Sequence, residues 1–230
     1  MYVNQTTNPV LPVIKVEAPS GYGLDNRFMY ALNKFENFKR PCGGGDIEAC
    51  QNVKRVILDW AKADAAKRTG PSNHEGRHWN DTLTVNLWVA SPMMAAYSFA
   101  KQIIKVPDNE DKLIKDWFER IVKKNKHLMY GMTYKQGTQA IGVPKRAHNH
   151  ALSSAIAHME LGILLNDNIQ FRKAFKNYEA AIKHQRGDGS LPIETRRGGR
   201  AMFYQGRAMN ALAVIAIIAE NQGYNIWEYE

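Results

Sequence analysis

The chain has 230 residues, of which 44% are hydrophobic and 10% aromatic, so it can bury the core of one domain or two small ones and is not intrinsically disordered. Lys and Arg total 31 against 22 Asp and Glu, and the formal charge of +9 indicates an anionic partner: nucleic acid, a membrane surface or an acidic polymer. No apolar run reaches the roughly 18 residues that a membrane-spanning helix requires, so the sequence predicts no integral membrane protein.

The first 23 residues have the pattern of an extended arm rather than of a signal sequence. Pro9, Pro12 and Pro19 interrupt any helix there, and no basic stretch precedes an apolar one. We therefore expect residues 1–23 to form an arm and residues 24–230 to form a single domain. Without a visible signal peptide, the chain is expected to be cytoplasmic when it is synthesised.

After the arm, apolar residues recur at helical spacing in segments that Gly, Pro and Asn separate. The pattern predicts about seven helices and no convincing strand pair, which is typical of an all-α domain of antiparallel helix pairs, either a bundle or a toroid. Pro92 predicts a break within the third helix, and the fully apolar faces of 88–104 and 208–219 predict burial among several neighbours. The predicted helices span 25–38, 46–66, 79–105, a segment that begins at 108, 148–165, 168–185 and 200–221.

Cys42 and Cys50 bracket a glycine-rich stretch between the first two predicted helices. A disulfide that closes this loop is sterically feasible. The lack of an export signal nevertheless favours two reduced thiols, because disulfides persist mainly in oxidising compartments.

Residues 74–78 form a His-Glu-x-x-His pattern, which on a helix places two imidazoles on one face for zinc. Here the pattern contains Gly76, follows the Gly70-Pro71 pair and has no evident third ligand. We therefore interpret it as a loop that enters a helix, and we predict no metal site there.

His148, Asn149 and His150 stand at the start of a predicted helix. Histidines two residues apart do not share a helix face, so they do not predict a metal pair. Asn149 is a competent N-cap for this helix. The amide groups and positive end of a helix start would equally favour an anionic ligand.

The densest basic cluster of the sequence lies where the last predicted helix begins, and comprises Arg196, Arg197, Arg200, Tyr204 and Arg207. In a helix that starts near Gly199, the last three of these share one face. Guanidinium groups nearby should lower the pKa of the Tyr204 phenol and make it a candidate for proton transfer. The alternative is a solvated basic helix start with a partly buried tyrosine.

These residue types suit β-elimination on a uronic acid polymer. Arg and Asn can neutralise the uronate carboxylate so that the C5 proton becomes acidic, while His and Tyr can transfer protons. A pair of carboxylates, as a glycoside hydrolase requires, does not stand out in either cluster.

Two segments resemble the alginate lyases of polysaccharide lyase family 5. Residues 144–150, PKRAHNH, are similar to that family's Lys-Arg-x-Asn-Asn-His segment. Residues 188–204, DGSLPIETRRGGRAMFY, are similar to its DGxLPxE segment with the Arg and Tyr that follow. Weaker similarity extends over roughly 46–225, and residues 18–22 of the arm also fit the family.

The resemblance implies an incomplete (α/α) helical toroid with a groove, and a metal-independent elimination that uses no cofactor. Asn149 and Arg197 would neutralise the carboxylate, and His150 would assist them or act as a base. Tyr204 would be the acid and, in syn-elimination, also the base. The resemblance and the basic clusters imply additional substrate contacts from Lys145, Arg146, Arg200, Arg207, His74 and Trp79.

The sequence also departs from the family pattern. Where the family has Asn-Asn-His-x-Tyr-Trp, this chain has His148-Asn-His-Ala-Leu-Ser. We also expect no counterpart to the family's lid region and closing helices. We expect an open groove with exposed apolar helix faces, part of which a second copy of the chain would cover. Such a compact form would suit a phage-encoded or lysis-released enzyme that acts outside the cell.

The sugar stays open among mannuronate, glucuronate and a mixed bacterial exopolysaccharide. The alternative is a non-catalytic protein on the same scaffold, which either binds anionic glycans or has a structural role. Binding alone does not require a tyrosine at this position, so the presence of Tyr204 favours the enzyme. We expect an acidic polysaccharide as the partner and neither nucleic acid nor a membrane, because no nucleic-acid recognition motif or polybasic run is present.

Overall fold

The structure is a computed structural model that describes residues 15–16, 26–66, 68–69, 89–124 and 143–226. It describes the side chains of 30–66, 89–124 and 143–226. The contacts divide the chain into two compact units, Met1–Ile121 and Val122–Glu230. The division into an arm over 1–23 and one domain over 24–230 stays a prediction.

Helices dominate the described residues, which confirms the predicted all-α class. The helices are α1 (Asn26–Gly43), α2 (Ile47–Lys62), α3 (Ser91–Ile103), α4 (Asp108–Lys123), α5 (Asn149–Leu165), α6 (Asn168–Lys183), α7 (Pro192–Thr195) and α8 (Ala201–Glu220). Short 3₁₀ turns, Lys145–Ala147 and Gly198–Arg200, precede α5 and α8. Two strands of two residues each, β1 (Lys15–Val16) and β2 (Arg68–Thr69), pair in parallel.

The predicted helix boundaries agree with the observed ones to within a few residues, with two exceptions. α1 continues through Pro41 to Gly43 instead of ending at 38. The break predicted at Pro92 lies where α3 begins: α3 starts at Ser91 directly after the π-helical residues 89–90, and Pro92 stands in its first turn, where a proline is well tolerated. The predicted helical segment 79–88 lies outside the described residues, as does most of the predicted loop 128–147.

α1 and α2 form a helical hairpin with a connection of only three residues, Gly44, Gly45 and Asp46. Gly45 has φ +90°, a conformation that glycine adopts readily because it lacks a Cβ. Asp46 caps α2 by accepting a hydrogen bond from the backbone N–H of Ala49 at 2.9 Å. This tight turn brings the Cα atoms of Cys42 and Cys50 to 4.6 Å from each other, and the two residues form a disulfide.

The disulfide contradicts the sequence-based preference for two reduced thiols. That preference depended on the inferred compartment, whereas the pairing follows from the geometry of the hairpin. A Cα separation of 4.6 Å lies within the range that a disulfide spans. Both cysteines are buried in the hairpin.

Trp117 of α4 lies at the centre of the core of the first unit. Its ring meets the ring of Trp60 edge-on with centroids 6.5 Å apart, and the ring of Phe118 at 4.7 Å. Its indole N–H donates a hydrogen bond to the backbone oxygen of Ala65 at 2.9 Å. These contacts fix α4 against the end of α2 with the polar atom of the buried indole satisfied.

α5 is the central helix of the second unit, since 14 of its 17 residues are buried. It packs against α6 and α8, which explains why apolar residues occupy almost its whole circumference. The side-chain amide of Asn177 on α6 donates to the backbone oxygen of Ala151 at 3.0 Å inside this core.

The turn from α5 to α6 requires two particular residues. Asn166 ends α5 in the left-handed conformation, with φ +55°. A Cβ at Gly162 would lie 2.8 Å from the backbone nitrogen of Phe171, so the two helices can approach this closely only with a glycine there. Asp167 then caps α6 by accepting from the backbone N–H of Gln170 at 2.9 Å.

One helical segment of the described residues, Gly198–Glu220, is long and apolar enough to cross a membrane by length and composition alone. The prediction from apolar runs did not identify it, because Arg200 and Arg207 interrupt its first half. The core helix of a soluble protein satisfies the same criterion, so this finding is weak evidence for a membrane span.

Removing the Cys42–Cys50 disulfide should lower the free energy of unfolding by about 2–3 kcal/mol, because the unfolded chain regains the freedom of a short loop. The measurement is urea denaturation of wild type and of the double variant Cys42→Ala/Cys50→Ala, each with and without dithiothreitol. Dithiothreitol should destabilise only the wild type. Equal stability of wild type and the double variant in the absence of dithiothreitol would contradict the prediction.

Candidate functional site

Two distant parts of the sequence meet at the start of α5. The turn before α5 and the first residues of that helix contribute His148, Asn149 and His150, all of which are buried. The segment from α7 to the first turns of α8 contributes Glu194, Arg197 and Tyr204. The structure therefore brings together the four predicted site residues Asn149, His150, Arg197 and Tyr204.

α7 positions this second segment. It is a single helical turn, Pro192–Thr195; its Ile193 and the preceding N-cap residue Leu191 are buried in the core of the second unit. The backbone N–H of Leu191 donates to the side-chain oxygen of Gln205 at 3.0 Å, which ties this turn to α8. Glu194 consequently points inward and is 0% exposed.

Glu194 joins the two segments through three hydrogen bonds. One of its carboxyl oxygens accepts from the backbone N–H of Asn149 at 2.7 Å, and the other from the Asn149 side-chain amide at 2.8 Å. Arg197 donates to this second oxygen at 3.4 Å. Burial raises the pKa of Glu194, while the bonds from Asn149 and the charge of Arg197 act in the opposite direction. In all three bonds the carboxyl group is an acceptor, which is the pattern of its ionised form.

Arg197 lies over the ring of Tyr204, with the guanidinium carbon 3.5 Å from the ring centroid. This geometry gives a cation–π contact, and Tyr204 itself is buried. The side chain of Arg197 remains 18% exposed, so the cation is held in place and still reaches solvent. The lowered phenol pKa that the sequence predicts for Tyr204 stays a prediction.

His148, rather than Asn149, is the N-cap of α5. Its Nδ1 accepts from the backbone N–H of His150 at 3.2 Å, while its Nε2 lies 3.2 Å from Nη1 of Arg197. Burial, reinforced by the charge of Arg197, lowers the pKa of His148 to about 3. The sequence-based assignment of Asn149 as N-cap is wrong: Asn149 is the first residue of α5, and its side-chain amide donates to Glu194.

His150 lies beside His148 with the two rings edge to face and their centroids 4.7 Å apart. Burial lowers the pKa of His150 to about 2, and its electrostatic interactions with His148, Arg197 and Arg207 lower it further. The imidazole of His150 is therefore neutral in the free protein at every ordinary pH.

The structure describes four of the six other predicted contact residues. Lys145 and Arg146 are half-buried in the turn that precedes α5, and Arg200 is exposed at the start of α8. Arg207 is also exposed and lies over the ring of Phe203 at 5.3 Å, with its charge acting on His150. His74 and Trp79 lie outside the described residues.

Sequence reasoning missed Glu194 and His148 as members of the cluster. Glu194 stands three residues before Arg197, directly after a short apolar stretch in which Leu191 and Ile193 are buried. That spacing, with an acidic residue at the end of an apolar stretch, was the available signal. Among the described residues, His, Cys, Asp and Glu form no group of three or more that could hold a metal ion.

The family model described as alginate lyase matches residues 3–230. The chain belongs to the alginate lyase family. Two curated members show the extent of the likeness. The alginate lyase of Pseudomonas syringae pv. syringae is 26% identical over 186 residues, which cover 79% of this chain and 45% of that protein. The alginate lyase of Pseudomonas aeruginosa (strain LESB58) is 26% identical over 198 residues, covering 82% and 47%.

This member of the alginate lyase family spans about half the length of the curated relatives that it matches. Alginate lyase A1-III from Sphingomonas species A1 matches its structure with a TM-score of 0.74 at 20% identity, over 98% of this chain and 64% of that one. A variant of A1-III complexed with tetrasaccharide matches with a TM-score of 0.73 at 20% identity, over 98% and 63%. These matches confirm the predicted (α/α) toroid fold.

The buried histidines should make this alginate lyase family member unstable in acid. Burial lowers the pKa of His148 to about 3, of His150 to about 2 and of His158 to about 4, whereas an unfolded histidine titrates near 6.5. Below pH 6.5 the unfolded chain binds more protons than the folded one. Each histidine then removes about 1.4 kcal/mol of stability per pH unit until its folded pKa is reached.

Urea denaturation between pH 8 and 5 measures this effect, with His158→Gln as the comparison because His158 lies outside the cluster. The unfolding free energy of wild type should be level above pH 7 and fall steeply below 6.5. The unfolding free energy of the variant should fall less steeply, and its slope should be smaller than that of wild type by about 1.4 kcal/mol per pH unit. Identical slopes for the two proteins would refute the assignment of His158 as a neutral buried group.

Proposed function

We propose that this chain carries a polysaccharide lyase site that cleaves a uronate-containing polysaccharide by metal-independent β-elimination. The observation that supports this most directly is the contact chain from Asn149 through Glu194 and Arg197 to the ring of Tyr204. It connects the groups that can neutralise a carboxylate with a group that can transfer a proton. The family to which the chain belongs favours the same chemistry.

Asn149 and Arg197 are proposed to neutralise the substrate carboxylate. The guanidinium of Arg197 is fixed on two sides, by Glu194 and by the Tyr204 ring, and remains partly exposed. The amide of Asn149 has a second N–H besides the one that it donates to Glu194. Donors oriented before the substrate arrives stabilise developing negative charge without reorganisation, which favours formation of the enolate-like intermediate.

Tyr204 is proposed to transfer the protons. A base removes the C5 proton, the electron pair of that bond forms the C4–C5 double bond, and the C4–O bond breaks. The departing glycosidic oxygen then takes up a proton. Tyr204 as phenolate can accept the first proton and return it to the leaving oxygen in syn-elimination. We expect the charge of Arg197, whose guanidinium carbon lies 3.5 Å from the ring centroid, to favour the phenolate form against the opposing effect of burial.

His150 is proposed to assist carboxylate neutralisation in its neutral form. With a pKa of about 2 in the free site, its imidazole is a weak base but a competent N–H donor. For the opposite C5 configuration, His150 stays the candidate base, provided that the bound uronate raises its pKa. Lys145, Arg146, Arg200 and Arg207 are proposed to contact neighbouring sugars of an acidic chain.

The candidate substrates are polymannuronate, glucuronan and a mixed bacterial exopolysaccharide. The curated relatives are alginate lyases, and the structure of an A1-III variant contains a tetrasaccharide, which favours an alginate-type polymer. The predicted second copy of the chain stays a prediction, and α8 carries exposed apolar side chains that such a copy could cover: Met202, Phe203, Met209 and Ile217.

Replacing Tyr204 by Phe should abolish elimination while the fold persists, because only the phenol hydroxyl is removed. The measurement is the ultraviolet absorbance of the unsaturated uronate product on polymannuronate, polyguluronate, glucuronan, hyaluronan and a bacterial exopolysaccharide. We expect a loss of roughly 100-fold or more, the usual contribution of a general acid–base group. Tyr178→Phe is the matched control, since Tyr178 is also buried but packs in an aromatic stack with Phe175.

Absorbance that rises with wild type and Tyr178→Phe but not with Tyr204→Phe would support the lyase and identify its substrate. Binding to an acidic glycan without any absorbance change would instead support the non-catalytic glycan-binding alternative. Equal rates for wild type and Tyr204→Phe would exclude Tyr204 from proton transfer.

A further inference from the structure

Phe203 is a large apolar residue that lies on the surface of α8 directly beside the cluster. It is 59% exposed, whereas Tyr204, the next residue in the chain, is buried. The two rings meet edge to face with their centroids 5.3 Å apart. An exposed aromatic ring is therefore adjacent to the buried ring that is proposed to transfer protons.

Two cationic side chains flank Phe203 along α8. Arg207 follows one helical turn later, and its guanidinium carbon lies 5.3 Å from the centroid of the Phe203 ring, within cation–π distance. Arg200 precedes Phe203 by about one turn, and both arginines are exposed. Arg207 also contributes to the lowered pKa of His150 inside the cluster. These three residues, Arg200, Phe203 and Arg207, form what we call the Phe203 patch, which borders the cluster.

The Phe203 patch combines the two properties that one sugar of a polyuronate presents. The C–H face of a pyranose ring is apolar and loses water favourably against an aromatic ring. The carboxylate of the same sugar is a strong acceptor for a guanidinium group. Because 59% of Phe203 stays exposed beside Arg207, most of its surface remains available to such a ligand.

The charge of the patch favours an acidic sugar over a second copy of this chain. In a two-fold interface centred on Phe203, the same patch lies on both subunits. Such an interface would bring Arg200 and Arg207 close to their own copies, and like charges that face each other oppose association. An anionic polymer meets the same two guanidinium groups with complementary charge.

We propose that Phe203 and Arg207 form a sugar-binding subsite next to the cluster, in which the Phe203 ring packs against the C–H face of a uronate and Arg207 binds its carboxylate. This inference rests on the proposed lyase function and identifies residues that hold a sugar adjacent to the one that reacts. Phe203 contributes apolar contact and Arg207 contributes selectivity for acidic sugars.

The first test measures binding by calorimetry in the Tyr204→Phe background, which prevents turnover, with the hexasaccharides of mannuronate and of glucuronate as probes. Phe203→Ala should weaken binding about five- to tenfold, as expected for uncovering part of an aromatic contact. Phe203→Trp retains an aromatic ring and should bind within twofold of the parent. Ile217→Ala is the matched control, since Ile217 is 52% exposed on the same helix almost four turns later, and it should have no effect.

Salt separates the two contributions. The effect of Phe203→Ala should be the same at about 0.05 M and about 0.5 M salt, because apolar contact is not screened. Arg207→Gln should weaken binding strongly at the lower salt concentration and little at the higher one. Equal affinities of the parent and Phe203→Ala would overturn the inference while leaving the proposed function intact. A parent protein that binds neither hexasaccharide would overturn both.

Kinetics and light scattering distinguish the subsite from two other roles of Phe203. On the polyuronate that wild type cleaves, Phe203→Ala should raise KM about five- to tenfold and leave kcat within twofold, because it removes binding common to the ground and transition states. A lower kcat at unchanged KM would show that Phe203 only positions Tyr204. A dimer that Phe203→Ala converts to a monomer would identify a second copy as the occupant. Either result would overturn the inference.

Discussion

The buried carboxylate of Glu194 is the constraint on which the rest of the cluster depends. A charge that is fully removed from water is stable only when several donors replace its hydration. Here the backbone N–H and the amide of Asn149 supply two of them, and Arg197 supplies the third. A single side chain thus satisfies an open N–H at the start of α5 and fixes two predicted site residues in relation to each other.

The consequences of this constraint extend outward from Arg197. Its guanidinium bonds to Glu194, covers the ring of Tyr204 and lies beside His148, so its position is determined from three directions. The same positive charge contributes to holding His148 and His150 neutral. A fixed cation beside neutral N–H donors is a preorganised environment for a carboxylate that gains charge during the reaction.

The sequence predicted most of the fold because its helices are strongly patterned. α5 and α8 are apolar over most of their length, and Asn166 marks the end of α5 as expected. The sequence could not predict the Cys42–Cys50 disulfide, which depends on how tightly two helices turn.

The residues of the cluster, too, were only partly predictable from the sequence. Asn149, His150, Arg197 and Tyr204 were found through residue type and family resemblance. Glu194 was missed, because the partner that makes a buried acid tolerable lies 45 residues away in the sequence. For the same reason the sequence predicted Asn149 as the N-cap of α5, a role that His148 has in the structure: the bonds between Asn149 and Glu194 are not visible in the local sequence.

The most direct test of the central claim is the elimination rate of Glu194→Gln on the polyuronate that wild type cleaves. Glutamine has the same shape but no charge, and its amide places a donor against the donors of Asn149 and Arg197. With Glu179→Gln as the control and circular dichroism to verify folding, we expect the rate to fall by roughly 100-fold or more in Glu194→Gln alone. A folded Glu194→Gln protein that cleaves at the wild-type rate would contradict the central role of this carboxylate.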